Sequence, residues 1–279
     1  RQAEELIEAG LLRDITDIAE AEGWTDIINP PSLLESCTVD GRIYCAPVNI
    51  HSWQWLWLSH KAYEDAGLDV PTNWDEYVAS ASALNDAGKL PLAMGQQGWQ
   101  QRGLFNTLFA ALVPNEVFLA VYDDKDADVA AGADVARVFA AAADAREMAS
   151  NSTVQNWNDA TNLVITGQAG GQIMGDWAQG EFAVAEQVAG TDYSCLPGLG
   201  VTELLSTGGD AFYFPVLTDE AQIAAQSELA ALMLRPDTQV AFNLAKGSLP
   251  VRGDIDLSAA NDCMQKGLKI LADGGIMPS

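Results

Sequence analysis

Asp40-Gly41-Arg42-Ile43-Tyr44-Cys45-Ala46-Pro47-Val48-Asn49-Ile50-His51 carries two local patterns in twelve residues. Asp-Gly is a strong hairpin signal, because both central residues of a tight two-residue turn need positive φ. The runs Arg42–Tyr44 and Ala46–Ile50 read as strands. Just beyond them Trp53, Trp55 and Trp57 alternate at strand period, which predicts that all three indoles point to one face. Upstream, Leu11, Leu12, Ile15 and Ile18 lie at helical spacing, in two helices punctuated by Gly10 and Gly23. Downstream, a helix from about Lys61 stops at Gly67, and Thr72 with Asp75 forms a capping-box-like start for the next. A short strand at Leu90–Met94 runs into the loop Gly95-Gln96-Gln97-Gly98-Trp99. Helices are expected over 102–113, 133–149 and 159–165, with an acidic loop at 123–128. A strand at 172–175 precedes a helix starting near Trp177, and the glycine-rich stretch 198–209 reads as a connection between lobes. Ala211–Phe214 is a strand, Thr218 is placed to cap a helix reaching Leu234, and Pro236 opens a helix ending near Gly247. Strands alternating with helices predict α/β architecture with largely parallel sheets.

Composition narrows the function classes. The chain has 279 residues, 48% hydrophobic and 19% charged, which is a globular balance with room for one large domain or two lobes. No apolar run reaches the length of about 18 residues needed to span a bilayer. Thirty-nine acidic and 14 basic residues give a net charge of −25. Such a surface repels phosphate backbones and anionic lipid heads, so neither nucleic acid nor a membrane is an expected partner. The sequence starts in what reads as the middle of a helix, Gln2–Ala9, without a charged-then-apolar leader pattern in the given residues, which is expected of a fragment or of a chain whose first part is not included.

Cys37, Cys45, Cys195 and Cys263 make an even set and fit no CxxC metal knuckle. The Asp40-Gly41 hairpin would bring Cys37 and Cys45 close, leaving Cys195 and Cys263 for each other. Closing the longer loop stabilises by roughly 4 kcal/mol in the chain-entropy model. Two disulfides favour an oxidising compartment, although four free thiols would suit a cytosolic chain.

Reaction chemistry is hard to find. With only two histidines, His51 and His60, a three-histidine metal site and an HExxH helix are excluded. There is no GxSxG elbow, no phosphate-binding GxxxxGK[ST] loop and no GxGxxG turn. Asn151-Ser152-Thr153 matches a glycosylation sequon, a short pattern that is frequent by chance. Carboxylates are too numerous for spacing to single out an acid/base pair. Tryptophan is the unusual feature: eight residues, with Trp99, Trp157 and Trp177 each next to Gln, Asn or Asp. An indole plane covers the C–H face of a sugar ring, while polar side chains satisfy its hydroxyl rim. Each tryptophan also has an ordinary reading as core packing.

At these residues the chain resembles a known family. Asp40–His51, Thr72-Asn73-Trp74-Asp75-Glu76, Asn156–Ala160, Met174–Phe182 and Asn243–Ser248 look like successive motifs of family 1 extracellular solute-binding proteins, and together like their glucose- and mannose-binding branch. The resemblance implies a two-lobed, type II periplasmic-binding-protein-like fold with the N-terminal part of the first lobe absent. Its lobes would be residues 1–47 with 207–248, and 48–206 with 249–279. By similarity Trp157 and Trp177 would stack on the sugar or wall its cleft. Asp210 would accept from hydroxyls, Lys246 would donate to a sugar oxygen, and His51 would bond the ligand or its neighbours. Gln96 and Gln97 would be secondary contacts, from a loop expected to face the cleft. Other readings stay open: Lys246 as a helix C-terminal charge, His51 as a satisfied buried ring, and Asp176 as the cap of the helix at Trp177. A family histidine near the C-terminus has no counterpart before Ser279. The implied protein is a periplasmic or otherwise extracytoplasmic monomer. It would bind a monosaccharide such as glucose and deliver it to the membrane permease of an ABC importer, with no catalysis, cofactor or metal. The competing readings are a glycoside hydrolase or other sugar-active enzyme, and a binding protein for an oligosaccharide or polyol.

Overall fold

A computed structural model describes residues 2–206 and 208–277. The helices are α1 (Gln2–Glu8), α2 (Thr16–Ala21), α3 (Trp24–Ile27), α4 (Ser32–Glu35), α5 (His60–Ala66), α6 (Trp74–Asp86), α7 (Gly98–Leu112) and α8 (Asn115–Tyr122). They continue with α9 (Ala127–Ala130), α10 (Ala133–Met148), α11 (Trp157–Ile165), α12 (Ala178–Val184), α13 (Glu220–Met233), α14 (Pro236–Lys246) and α15 (Asp262–Ala272). The strands are β1 (Thr38–Val39), β2 (Arg42–Ile43), β3 (Cys45–Pro47), β4 (Trp55–Ser59), β5 (Leu90–Leu92), β6 (Ala169–Ile173), β7 (Tyr193–Pro197) and β8 (Ala211–Tyr213). The chain divides into two compact units, residues 1–51 with 208–259 and residues 52–207 with 260–279. The boundary expected at 206/207 falls on Thr207, outside the described residues.

In the first unit the Asp-Gly turn forms as its sequence requires. Asp40 and Gly41 have φ of 50° and 74°, and Val39 pairs with Arg42 across the hairpin. The turn brings its flanks together, and Cys37 is bonded to Cys45. Strand β3 pairs antiparallel with β8, Cys45 opposite Tyr213 and Pro47 opposite Ala211. A polar seam fixes the chain beyond β3. Gln239 and Asn243, fully buried at i and i+4 on α14, both donate to the Val48 carbonyl, at 3.0 and 3.5 Å. Gln239 also accepts from the Val251 amide, and Asn243 accepts from the Ser248 hydroxyl. Buried amides retained this way have nearly all their donors and acceptors paired. The helix cap departs from expectation: Asp219, not Thr218, caps α13 by accepting from the Gln222 amide.

The second unit is built on a four-stranded sheet of order β5-β6-β4-β7. All of β4 is buried, and its alternation feeds two cores. Leu56 and Leu58 join Tyr63, Tyr77 and Leu108 on one face, while Trp55 and Trp57 join Phe182 and Tyr193 on the other. The sheet is not largely parallel as the strand–helix alternation predicts. Only β5–β6 is parallel, and β4 runs antiparallel to both of its neighbours. Alternation records that helices separate strands, not from which end the chain enters the sheet, and β4 enters directly from the other unit. Gly171 on β6 is needed at the packing distance, because a Cβ there would sit 2.8 Å from the Trp57 carbonyl and 3.1 Å from the Tyr77 ring. The capping box at α6 is shifted by one residue: Asn73 accepts from the Glu76 amide, and Glu76 reaches back to the Thr72 amide and hydroxyl. Cys195 on β7 is bonded to Cys263 on α15. Among the described residues no helix is long and apolar enough to cross a membrane.

Candidate functional site

In the first unit three polar side chains, Asn49, His51 and Lys246, converge on the carboxylate of Asp210. Asn49 follows β3 and is fully buried, and His51 ends the same segment. Asp210 immediately precedes β8, and Lys246 is the last residue of α14, released to the surface by the left-handed Gly247. The Asn49 amide donates to Asp210 Oδ2 at 3.0 Å, while Asn49 Oδ1 accepts from the Asp210 backbone N–H at 2.6 Å. His51 Nε2 stands 3.3 Å from the same Oδ2 and Lys246 Nζ 3.6 Å away. His51 Nε2 also lies 3.2 Å from the Asn49 amide nitrogen, so the tautomer decides which of Asn49 and Asp210 the ring engages. Partial burial pushes the Asp210 pKa upward. The Asn49 hydrogen bond and the charges of His51 and Lys246 outweigh that and hold it below its ordinary value of 3.8. Asp210 is therefore a half-exposed, ionised acceptor held in orientation from three sides, which suits it to hydroxyl donors. Gly209 makes the approach possible: a Cβ there would lie 2.1 Å from the Asn49 carbonyl oxygen.

The second unit gathers indoles. Trp53 stands edge-on to both Trp177, with centroids 4.6 Å apart, and Trp99, at 5.8 Å. It precedes β4 rather than lying in it, so it is not on the strand face that Trp55 and Trp57 share, and the three-indole alternation ends at Trp55. Trp157 begins α11, and both Trp157 and Trp177 are half-buried against the core that holds Trp55 and Phe182. Gly175 makes room for the second indole, since a Cβ there would fall 2.2 Å from the Trp177 ring. Gln97 accepts from the Trp99 indole N–H at 2.7 Å and donates to Asn156, while Gln96 donates to the Ser152 carbonyl and accepts from Gln155. Both glutamines brace the loop and are exposed on it. Asp176 does not cap the helix after Trp177. Its buried carboxylate accepts from the Ser52 amide at 2.9 Å and the Ser52 hydroxyl at 3.2 Å, and α12 has no side-chain cap.

Of the residues singled out from sequence, the structure brings His51, Asp210 and Lys246 together. It places Trp157, Trp177, Gln96 and Gln97 in the other unit. Asn49 and Trp53 belong to the same two groups but are not among the sequence-based candidates, while Trp99 was singled out with Trp157 and Trp177. For Trp53 the only signal was its position two residues past His51, and its strand-period spacing with Trp55 and Trp57 pointed to the core instead. Asn49 had none, because its partner Asp210 is 161 residues away.

The chain belongs to the bacterial extracellular solute-binding protein family, whose model matches residues 1–240. That membership places it outside the cytoplasm. A probable sugar-binding periplasmic protein of Rhizobium meliloti is 34% identical over 266 residues, covering 95% of this chain and 63% of the relative. A protein of the same description from Brucella melitensis is 35% identical over 268 residues, covering 95% and 62%. The chain thus spans less than two thirds of the curated relatives it matches. Among solved structures, the bacterial solute receptor AcbH, described as having an exclusive preference for β-D-galactopyranose, superposes with a TM-score of 0.76. It is 19% identical, over 98% of this chain and 69% of that one, a likeness of fold alone. The architecture is the two-lobed α/β solute-binding fold.

Proposed function

We propose that this chain is the greater part of the substrate-binding component of an ABC sugar importer, taking a monosaccharide such as glucose or a similar hexose. The observation that carries the reading is the Asp210 cluster: an ionised, oriented acceptor with a cation 3.6 Å away, of the kind that pairs with neighbouring sugar hydroxyls. Within the second unit, the indoles Trp157 and Trp177 offer apolar faces of the kind that cover a sugar ring. Lobes of residues 1–47 with 207–248 and 48–206 with 249–279, action as a monomer, delivery to a membrane permease and absence of turnover are parts of the same proposal. The names of the Rhizobium and Brucella relatives support it.

Calorimetry on the full-length natural protein tests this. Glucose should bind with measurable heat, and Asp210→Asn should weaken it by about 10- to 100-fold, the worth of a hydrogen bond to a charged group. Heat from no monosaccharide would remove the ligand assignment. Sugar released from a glycoside substrate would replace binding with hydrolysis.

A further inference from the structure

One face of α7 builds a cleft within the second unit. Trp99, Arg102, Gly103, Asn106, Thr107 and Ala110 recur at i, i+3, i+4, i+7, i+8 and i+11, and all line a cavity of about 400 Å³. Trp53, Phe118 and Tyr122 supply aromatic walls, and Gln54, Ser206 and Met277 complete it. Gly103 admits the Trp53 ring, because a Cβ there would lie 2.4 Å from it.

The polar groups of this cleft are donors. Gln54 is 5% exposed, and its Oε1 is consumed by the Ser206 amide and hydroxyl, both at 2.9 Å. Its amide N–H₂ is left to the cavity, against only the Met277 sulfur at 3.5 Å, a weak acceptor. A buried amide donor without an oxygen partner is costly, so a ligand oxygen there is worth more than one at an open surface. Asn106 is oriented likewise: its Oδ1 takes the Tyr122 hydroxyl at 3.0 Å, which leaves its N–H₂ to donate. Arg102 adds a guanidinium, which is not among the described ion pairs of the chain. Among the described residues that line the cleft none is acidic, in a chain with 39 acidic side chains and 14 basic ones. The cleft lining thus has the opposite sign to the chain as a whole. At physiological salt, screening over about 8 Å leaves the nearby donors, not the distant net charge, to set the local preference.

We propose that this cleft takes a carboxylate-bearing sugar, a hexuronate or aldonate, whose carboxylate is received by Arg102 and whose hydroxyl oxygens are met by Gln54 and Asn106. This rests on the sugar-binding reading and assigns a ligand class at the indole group, where Trp53 adjoins Trp99 and Trp177, rather than at the Asp210 cluster, which does not line this cleft. The planar fork of Arg102 matches a carboxylate in two parallel bonds, and the sugar ring can lie on the face of one indole, Trp53 or Trp99, whose planes are 74° apart.

The test is calorimetry on the full-length natural protein with D-glucuronate, D-glucose and glucose 6-phosphate at pH 7. Glucuronate should bind at least 10-fold more tightly than glucose, and Arg102→Gln should bring that ratio to about one. Arg137→Gln, the same charge change on the exposed face of α10, should leave the ratio as it is. Glucose bound as tightly as glucuronate, or a preference that survives Arg102→Gln, overturns the acidic-sugar assignment while leaving sugar binding intact. Glucose 6-phosphate bound more tightly than glucuronate overturns the carboxylate in favour of phosphate. No heat with any of the three overturns both this inference and the reading beneath it.

Discussion

Adding one methyl group at Gly209 should break the Asp210 cluster, and the size of the effect follows from distances. A Cβ at 209 would stand 2.1 Å from the Asn49 carbonyl oxygen, so the two backbones must part by about 0.9 Å to reach even 3.0 Å. The Asn49–Asp210 contacts now at 2.6 and 3.0 Å would then stretch beyond the range of a hydrogen bond. One is a neutral bond worth about 1 kcal/mol and the other a bond to a carboxylate worth roughly 1.5–3 kcal/mol. Water recovers part of the second, since the Asp210 side chain is 56% exposed, which leaves a net cost of about 2 kcal/mol. For a chain of this size that is a fall in Tm of roughly 3–4 °C. Gly208→Ala is the matched control: no atom lies within 4 Å of its Cβ and its φ is not positive, so it should be neutral or stabilise by about 0.4–1 kcal/mol. Thermal unfolding followed by circular dichroism reads both. If Gly209→Ala melts within about 1 °C of Gly208→Ala, the packing argument for this site is wrong.

The disulfides should differ in worth by their loops. Replacing Cys195 and Cys263 with serine opens a separation of 68 residues and should cost about 4 kcal/mol, against about 2.5 kcal/mol for Cys37 and Cys45, separated by 8. Denaturant titration of the two double variants gives the order, and a larger loss from the short loop would contradict the entropic account. Asp210 should also leave a mark on pH dependence. Because its folded pKa lies below 3.8, its ionised form stabilises the native state above that value, and the contribution fades as pH falls through the folded pKa. Stability curves of the protein and of Asp210→Asn should therefore run parallel above about pH 5 and converge only on further acidification. Convergence already near neutrality would refute this account of Asp210.

What the sequence disclosed was whatever is settled by near neighbours. Asp40-Gly41 needs positive φ, so the hairpin and the Cys37–Cys45 bond were legible, and so were most helix limits set by Gly10, Gly67 and Gly247. Caps were misjudged by one residue at Asn73 and Asp219, because Thr, Asn and Asp compete for the same role within a turn. Helix α8 was missed, since Pro114 ahead of it and the acid-rich run after it read as loop, although Phe118 and Tyr122 pack onto Phe109. Strand direction and the Asn49–Asp210 bond were not legible at all, because both depend on segments brought together across more than a hundred residues. Asp176 misled for the same reason: a local cap was the obvious partner, and Ser52, 124 residues earlier, is the actual one.

The pairing of β3 with β8 bears on the order of synthesis. Cys45 emerges from the ribosome 168 residues ahead of Tyr213, its partner across the ladder. At 5–20 residues per second that is a delay of about 10–30 s, during which the first fifty residues lack the strand they rest on. The intervening segment 52–207 meanwhile holds all four strands of its own sheet and can begin to assemble while its elder neighbour waits.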